Sequence, residues 1–151
     1  MSYILDLRAK VGSQPLISVG AAVIIFNETG QFLLVHRTDT RTWGLPAGSK
    51  EPNEALETTA QREVWEETGL HLSNLTARFT LSGPNCQFTY PNGDQIDAVI
   101  AVYDTQVTQV TQQQPLTPQP GETSEARFFA PSSLPELTPL TRRVLARAAL
   151  L

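Results

Sequence analysis

Residues 48–70 carry a spacing of glycine, glutamate and arginine that constrains this chain of 151 residues more than any other feature. The segment reads GSKEPNEALETTAQREVWEETGL and follows the pattern G-x5-E-x7-R-E-U-x-E-E-x-G-U, where U is an apolar residue. The fixed places are taken by Gly48, Glu54, Arg62, Glu63, Val64, Glu66, Glu67, Gly69 and Leu70. At average amino-acid usage, a match of this length has a chance on the order of 10^-9 per window, so it is not a coincidence.

The last three glutamates of this pattern predict a divalent-metal site. Glu63, Glu66 and Glu67 stand at positions i, i+3 and i+4, and a helical turn brings such side chains onto one face, within about 6 Å of each other. Like charges at this spacing destabilise an isolated helix, so a cation among them explains the arrangement. Carboxylate oxygens are preferred by hard cations, which indicates Mg²⁺ or Mn²⁺. A solvated acidic helix face is the alternative for three glutamates taken alone.

Local chemistry predicts where the helix that bears these glutamates begins and ends. Asn53 is a favourable N-cap residue, and Glu54 would then meet the positive end of the helix dipole. Apolar residues recur at helical spacing as far as Val64 and form a stripe that can be buried. Gly69 can adopt the left-handed conformation that ends a helix. The motif therefore predicts a loop, a helix over about 54–68 and a second loop.

Apolar, β-branched segments on both sides of the motif predict a sheet. The predicted strands cover 18–26, 32–37, 75–83, 86–90, 97–107 and 126–131. A turn over 27–30 predicts a hairpin between the first two strands, and Asn92-Gly93 predicts a hairpin turn before the strand over 97–107. Strands around one motif helix, with a second helix at the end of the chain, imply an α+β fold built as an α/β/α sandwich around a mixed sheet.

The remaining segments flank this sheet. Residues 1–17 are predicted to form an N-terminal arm or a short helix, and the Gln/Thr/Pro-rich tract 105–125 is predicted to be a variable loop. Thr138-Pro139 has the cap-then-proline signature that opens a helix, here to about Leu150. With 40% hydrophobic residues, a chain of this length suits one domain, predicted over 1–151.

Charge and hydropathy argue against several classes of protein. The net charge is −4 and no cluster of Lys and Arg is visible, which argues against a nucleic-acid binding surface. The longest apolar run, Val19 to Phe26, has eight residues, whereas a membrane span needs about 20. Asp6 and Arg8 interrupt the region where a signal peptide would be apolar. Cys86 is the single cysteine and suits a reducing compartment, so a cytoplasmic location without membrane association is predicted.

The pattern over residues 48–70 resembles the Nudix box, and the chain is similar to the Nudix, or MutT-like, hydrolase family at every defining position of that box. The likeness extends to W-x-L-P-x-G at 43–48 and to E-x-R-F-F at 125–129, so it touches much of residues 18–135. One departure is Ala47, where relatives commonly carry a second glycine. The resemblance implies the same sandwich fold and the hydrolysis of a phosphoanhydride bond in a nucleoside diphosphate linked to another group, such as a nucleoside triphosphate, ADP-ribose or a nucleotide-sugar.

The resemblance also implies roles for single residues. Glu63 and Glu67 are expected to be the principal ligands of Mg²⁺ or Mn²⁺, Glu66 a ligand or helper, and the carbonyl of Ala47 a further oxygen donor. Arg62 cannot bind a cation and is expected to orient a neighbouring carboxylate. Metal ions so held neutralise a pyrophosphate and lower the pKa of a bound water, which makes a pyrophosphatase reaction the expected outcome.

The identity of the general base is open at this point. Glu66 or Glu67 is a candidate, and so is a glutamate of the later loop, first Glu125 and then Glu122. All four are carboxylates that could accept a proton from an attacking water.

Substrate contacts must come from outside the motif. Arg37 and Arg41 precede it and are candidates for binding substrate phosphates, although a solvated surface role for each is at least as well supported. The expected partner is a nucleotide-type small molecule, and a homodimer is compatible with the resemblance because many relatives dimerise. A Nudix-fold module that binds a nucleotide without turnover is the alternative to an enzyme, but such proteins usually lack part of the glutamate set, which is complete here.

Overall fold

The computed structural model describes residues 2–108, 116 and 123–151. Its strands are Leu16–Phe26 (β1), Phe32–Arg37 (β2), Trp43–Gly44 (β3), Ala47–Ser49 (β4), Thr76–Leu81 (β5), Gln87–Thr89 (β6), Gln95–Gln106 (β7) and Thr123–Phe129 (β8). The α-helices are Tyr3–Val11 (α1), Leu56–Thr68 (α2) and Pro139–Arg147 (α3), and a 3-10 turn covers Pro84–Cys86. None of the helices in the described residues is long and apolar enough to cross a bilayer.

The strands form one mixed sheet with β1 at its centre. The order is β3-β2-β1-β7-β5, while β4 pairs with β1, β6 with β7, and β8 with β2. β1 and β7 run parallel over their whole length, and the other pairs are antiparallel. Such a long parallel pair must be joined by a crossover, and the chain between these two strands contains α2.

Alternation along β1 divides the core into two layers on opposite faces of the sheet. Ala21, Val23 and Ile25 pack on one face with Ala60 and Val64 of α2. The intervening residues of β1 pack on the other face, where α3 contributes its buried side chains. Because strand side chains alternate between faces, α2 and α3 lie on opposite sides of the sheet. The predicted α/β/α sandwich around a mixed sheet is confirmed.

Most predicted elements are present, with shifted ends. The N-terminal segment takes the helical alternative, as α1. The hairpin of β1 and β2 is confirmed. β8 begins at Thr123, inside the tract predicted as a loop over 105–125, because it pairs with β2 up to Arg37. The rest of that tract lies mostly outside the described residues.

The start of α2 is a correction to the sequence prediction. Asn53 has φ 65°, a left-handed conformation, whereas an N-cap residue has extended backbone. The N-cap is Ala55, with φ −71° and ψ 149°, and no side chain caps the helix there. Glu54 therefore lies outside the helix and does not occupy its first turn. The predicted end at Thr68 is confirmed, with Gly69 left-handed at φ 80°.

The last helix also ends earlier than predicted. Thr138 is its N-cap, as expected, and its side chain accepts a hydrogen bond from the Thr141 N–H at 3.3 Å. Helix α3 stops at Arg147, whereas the sequence predicted an end near Leu150. Ala149 has φ 60°, which breaks the helical conformation, and the Leu150 N–H turns back to the carbonyl of Leu145 at 2.8 Å.

Candidate active site

The fixed residues of the motif are brought together by α2 and β4. Helix α2 packs against β1 and β4, and β4 pairs with β1 over Ala47 to Ser49. On α2, Ala60 and Val64 face the sheet and are fully buried. The positions next to this buried stripe carry the charged residues of the motif. Their side chains contact β4 and the loop before the helix.

Arg62 joins three parts of the motif through one guanidinium group. Its Nε donates to Glu54 Oε2 at 2.8 Å and its Nη2 to Glu54 Oε1 at 3.0 Å, a two-pronged contact of the kind that fixes geometry. Its Nη1 donates to Glu63 Oε1 at 2.9 Å and lies 3.4 Å from Glu66 Oε2. The Ser49 carbonyl on β4 accepts from Nη2 at 3.0 Å. These contacts are what the predicted orienting role of Arg62 would require.

Glu54 is held in its charged form by its neighbours. Besides Arg62, Thr59 Oγ1 donates to it at 2.7 Å and the Glu51 N–H donates at 3.0 Å. These donors favour the carboxylate over the protonated acid. Hydrogen bonds from Arg62, above all, lower the pKa of Glu54 from 4.5 to about 2, while burial of the carboxyl opposes the shift. This glutamate therefore anchors the loop before α2 to the helix.

Glu67 and Glu63 lie against the backbone of β4. Glu67 is buried, and its Oε2 accepts a hydrogen bond from the Ala47 N–H at 3.0 Å. Glu63 lies so close to Gly48 that a Cβ added at Gly48 would stand 2.1 Å from the Glu63 carboxyl carbon. The backbone of β4 thus approaches two of the three predicted ligands, and only a glycine at position 48 leaves the Glu63 carboxyl where it is.

The predicted metal ligands are neighbours, but their side chains are divided among other partners. Arg62 bridges Glu63 and Glu66, and Glu67 is turned towards Ala47. In this arrangement no three His, Cys, Asp or Glu side chains within the described residues could hold a metal ion together. The donor set itself suits a hard cation, because it consists of carboxylate and carbonyl oxygens. The assignment of Glu63, Glu66, Glu67 and the Ala47 carbonyl as ligands stays a prediction. Binding one ion together would require the three glutamate side chains to rotate.

Two glycines of this region allow a direct test of its packing. A Cβ at Gly20 would lie 2.4 Å from the carbonyl oxygen of Gly48, a backbone atom that cannot move unless β1 and β4 separate. We expect Gly20→Ala to lower the free energy of unfolding by about 1–3 kcal/mol, measured by urea denaturation. At Gly48, the three atoms nearest to an added Cβ all belong to the carboxyl group of Glu63, at the flexible end of its side chain.

Gly20→Ala should therefore mainly lower stability, whereas Gly48→Ala should mainly weaken the response to Mg²⁺. Gly48→Ala displaces a carboxyl that can rotate, so we expect a smaller loss of stability and a smaller rise of melting temperature on adding Mg²⁺ than in the wild type. Equal stability of Gly20→Ala and the wild type would contradict the close approach of β1 and β4. An unchanged Mg²⁺ response of Gly48→Ala would argue against Glu63 as a ligand.

The candidate base Glu125 lies on β8, on a different part of the sheet from β4. Ala126 and Phe128 pack on the face covered by α2, so alternation turns Glu125 to the opposite face. There it is half exposed and forms an ion pair with Arg127. Glu122, the second loop candidate, lies outside the described residues. The assignment of either residue as the base stays a prediction, and the direction of the Glu125 side chain favours a base on α2.

The two predicted phosphate contacts lie at the turn between β2 and β3. Arg37 binds the Asp39 carboxylate through Nε at 3.1 Å and Nη2 at 2.9 Å, which lowers the pKa of Asp39. Arg41 is exposed, with φ 58°, and its N–H donates to the Arg37 carbonyl at 3.0 Å. Their roles in binding substrate stay predictions.

The sequence did not predict the hydrogen bonds that join Arg62 to Glu54 and Ser49, or the bond from Thr59 to Glu54. The spacing carried one signal, since Glu54 and Arg62 are both fixed places of the motif. Eight residues along a continuous helix would hold these side chains more than 10 Å apart, at about 1.5 Å per residue. Contact becomes possible only because the helix begins after Glu54 and the preceding loop folds back.

Comparisons with known proteins agree with this architecture. The model of the NUDIX domain matches residues 17–148. A MutT-like protein of Streptomyces ambofaciens is 47% identical over 60 residues, which are 40% of this chain and 39% of that protein. An NAD-capped RNA hydrolase, NudC, of Deinococcus radiodurans is 32% identical over 146 residues, which are 87% of this chain and 45% of that protein. The chain thus spans less than half the length of these curated relatives.

Solved structures share the fold over most of the chain. A MutT NUDIX hydrolase from Burkholderia pseudomallei has a TM-score of 0.69 and 28% identity, covering 88% of this chain and 97% of that one. The NUDIX domain of Shewanella oneidensis NrtR, solved in complex with ADP ribose, has a TM-score of 0.66 and 21% identity, covering 100% of both chains. The second likeness concerns the fold alone.

Proposed function

This chain belongs to the NUDIX family of hydrolases, and we propose that it hydrolyses a phosphoanhydride bond in a nucleoside diphosphate linked to another group, with the help of Mg²⁺ or Mn²⁺. Candidate substrates are nucleoside triphosphates, ADP-ribose and similar nucleotide-sugars. The resemblance inferred from residues 48–70 is supported by the family match, and the activity is our proposal.

One observation carries this proposal: the glutamates of the motif are gathered at one place, with Glu63 and Glu67 against β4 and Glu54, Glu63 and Glu66 around Arg62. A role in stability alone would be better served by fewer like charges on one helix face. Glu63, Glu66 and Glu67, with the Ala47 carbonyl, would hold the cation. When bound, the ion would neutralise the diphosphate, hold it in place and lower the pKa of an attacking water.

The chain's own residues would divide the remaining work. Arg62 keeps Glu63 in position through the hydrogen bond at 2.9 Å and ties it to β4 through Ser49. A carboxylate must accept the proton that the attacking water loses. We assign this role to Glu66 or Glu67 in preference to Glu125, because strand alternation turns Glu125 away from α2. Glu66 is the more exposed of the two and therefore the more accessible to water.

The experiment that tests the proposal is a hydrolysis panel with purified protein. The panel contains nucleoside triphosphates, oxidised nucleotides, ADP-ribose, dinucleoside polyphosphates and NAD, each with Mg²⁺, with Mn²⁺ and with a chelator. We expect release of a phosphorylated product from at least one compound, only when the metal is present. Binding without turnover across the panel, seen as a rise in melting temperature, would favour the non-catalytic module. A panel that shows neither turnover nor a rise in melting temperature would contradict the proposal.

A further inference from the structure

An apolar groove opens beside the candidate site, between α1, the first half of β1 and the segment after β4. Its volume is about 400 Å³, and its walls include Tyr3, Ile4, Ile17, Val19, Lys50 and Pro52. This volume lies in the range of pockets that bind small molecules, roughly 300–1,000 Å³. Helix α1 forms one wall and β1 the other.

Ser49 of β4 lies between the groove and the acidic cluster. Ser49 lines the groove, and its carbonyl accepts the hydrogen bond of Arg62 at 3.0 Å. The preceding residue, Gly48, is the one whose added Cβ would stand 2.1 Å from the Glu63 carboxyl carbon. A substrate with its diphosphate at the glutamates could therefore extend one of its ends into the groove.

Unusually exposed apolar side chains lie in this groove. Tyr3 is 50% exposed, Ile17 72% and Val19 37%. They are three of the seven large hydrophobic residues that are exposed in the described part of the chain. A cluster of this kind marks a binding site more often than a scattered exposed residue does. Ligand atoms that cover these side chains would gain free energy from the apolar surface removed from water.

The polar groups of the groove already bind one another. Ser18 Oγ and Ser49 Oγ are 2.9 Å apart, and Lys50 Nζ donates to the Glu51 carbonyl at 3.0 Å. The Tyr3 N–H donates to Glu51 Oε2 at 2.8 Å, which also holds α1 against the loop after β4. A sugar, with several hydroxyl groups, would have to displace these bonds. A flat, mostly apolar ring would cover Tyr3, Ile17 and Val19 without doing so.

We propose that this groove binds the base of the nucleotide substrate, while the diphosphate lies at the glutamates of α2. The inference rests on the proposed function and adds to it the residues that select the substrate. Ile17 and Val19 provide the apolar floor on β1, and the ring of Tyr3 stacks on the base. Substrates with a nucleobase are then preferred over diphosphates that carry a sugar alone.

The test uses Ile17→Asn, with Leu5→Asn as its matched control. Leu5 is also exposed, at 61%, and lies on α1 outside the groove walls. Kinetics are measured on the panel nucleotide that the wild type hydrolyses fastest, and on ribose 5-triphosphate, which has no base. We expect Ile17→Asn to raise KM for the nucleotide about tenfold or more and to leave kcat within about twofold. KM for ribose 5-triphosphate, and both constants of Leu5→Asn, should stay at the wild-type values.

A second variant and a binding measurement separate failure of this inference from failure of the proposed function. Tyr3→Ala, which removes the stacking ring, should raise KM in the same way. Adding AMP or GMP to protein with ¹³C-labelled isoleucine methyl groups should shift the signals of Ile4 and Ile17. Normal KM in both variants of an active enzyme would overturn the groove and leave the function standing. In a protein without hydrolytic activity, unshifted methyl signals would overturn the groove as well.

Discussion

Glu67→Gln is expected to lower kcat of metal-dependent hydrolysis by about a hundredfold or more, because it removes a charged ligand of the cation and one of the two candidate bases on α2. The substitution keeps the shape of the side chain and removes its charge. Glu67 is buried on α2, with Oε2 at 3.0 Å from the Ala47 N–H, so the glutamine oxygen can still accept this bond. The fold should survive and the reaction should not, because a neutral amide binds a cation more weakly than a charged carboxylate does and is a poor base.

Initial rates with Mg²⁺ over a range of substrate concentrations measure this effect, and a thermal melt checks the fold. Glu136→Gln is the matched control, since Glu136 is exposed and lies in the segment before α3. It should keep the wild-type rate. A hydrolysis rate unchanged by both Glu67→Gln and a chelator would contradict the proposed mechanism. A large fall in melting temperature of Glu67→Gln would assign its effect to folding.

Arg62→Met is expected to lower the free energy of unfolding by about 2–4 kcal/mol at pH 7, because it leaves carboxylates of low exposure without their donor. The Glu54 side chain is only 11% exposed and that of Glu63 15%. Methionine replaces the stem of arginine but none of its hydrogen bonds. For a chain of this size, the melting temperature should fall by roughly 5–15 °C.

The loss should depend on pH in a defined direction. Arg62 lowers the pKa of Glu54 to about 2 in the folded protein, against an ordinary value of 4.5. A group whose pKa is lowered by folding stabilises the folded state above its ordinary pKa and loses this contribution as the pH falls towards the lowered value. The difference in stability between the wild type and Arg62→Met should therefore be largest above about pH 5 and shrink as the pH approaches 2.

Urea denaturation at pH 7, 4 and 3 measures this dependence, with Arg143→Met as the matched control. Arg143 is an exposed arginine of α3, so its loss should change stability by less than about 0.5 kcal/mol. A constant gap between Arg62→Met and the wild type at all three values would contradict the role of Glu54. Equal effects of the two arginine variants would show that Arg62 acts only as a surface charge.

Features that depend on neighbouring residues were predicted well. The end of α2 followed from Gly69, because a left-handed residue stops a helix whatever surrounds it. The N-cap Thr138 of α3 was also correct, since the signal lies in two adjacent residues. The start of α2 was wrong, because Glu54 gains more from Arg62, Thr59 and the Glu51 N–H than from the first turn of the helix.

Features that depend on the order in which the strands pair could not be predicted from the sequence. Glu125 was a candidate base because it follows the motif in a later segment, and its side-chain direction was unknown. Only the pairing of β8 with β2 shows that its neighbours Ala126 and Phe128 face α2. The groove beside β4 could not be predicted from the sequence either, because Tyr3, Ile17 and Lys50 belong to three separate segments that meet only in the folded chain.

The sequence by itself determined the family, the helix that carries the glutamates, and the oxygen donors suited to a hard cation, because these rest on residue types at short, fixed separations. The tertiary structure decided how those donors are arranged: Arg62 braced between Glu54 and Glu63, Glu67 turned to β4, and an apolar groove next to them. These arrangements join residues that are distant in the chain, and they depend on a register and packing that local spacing does not encode.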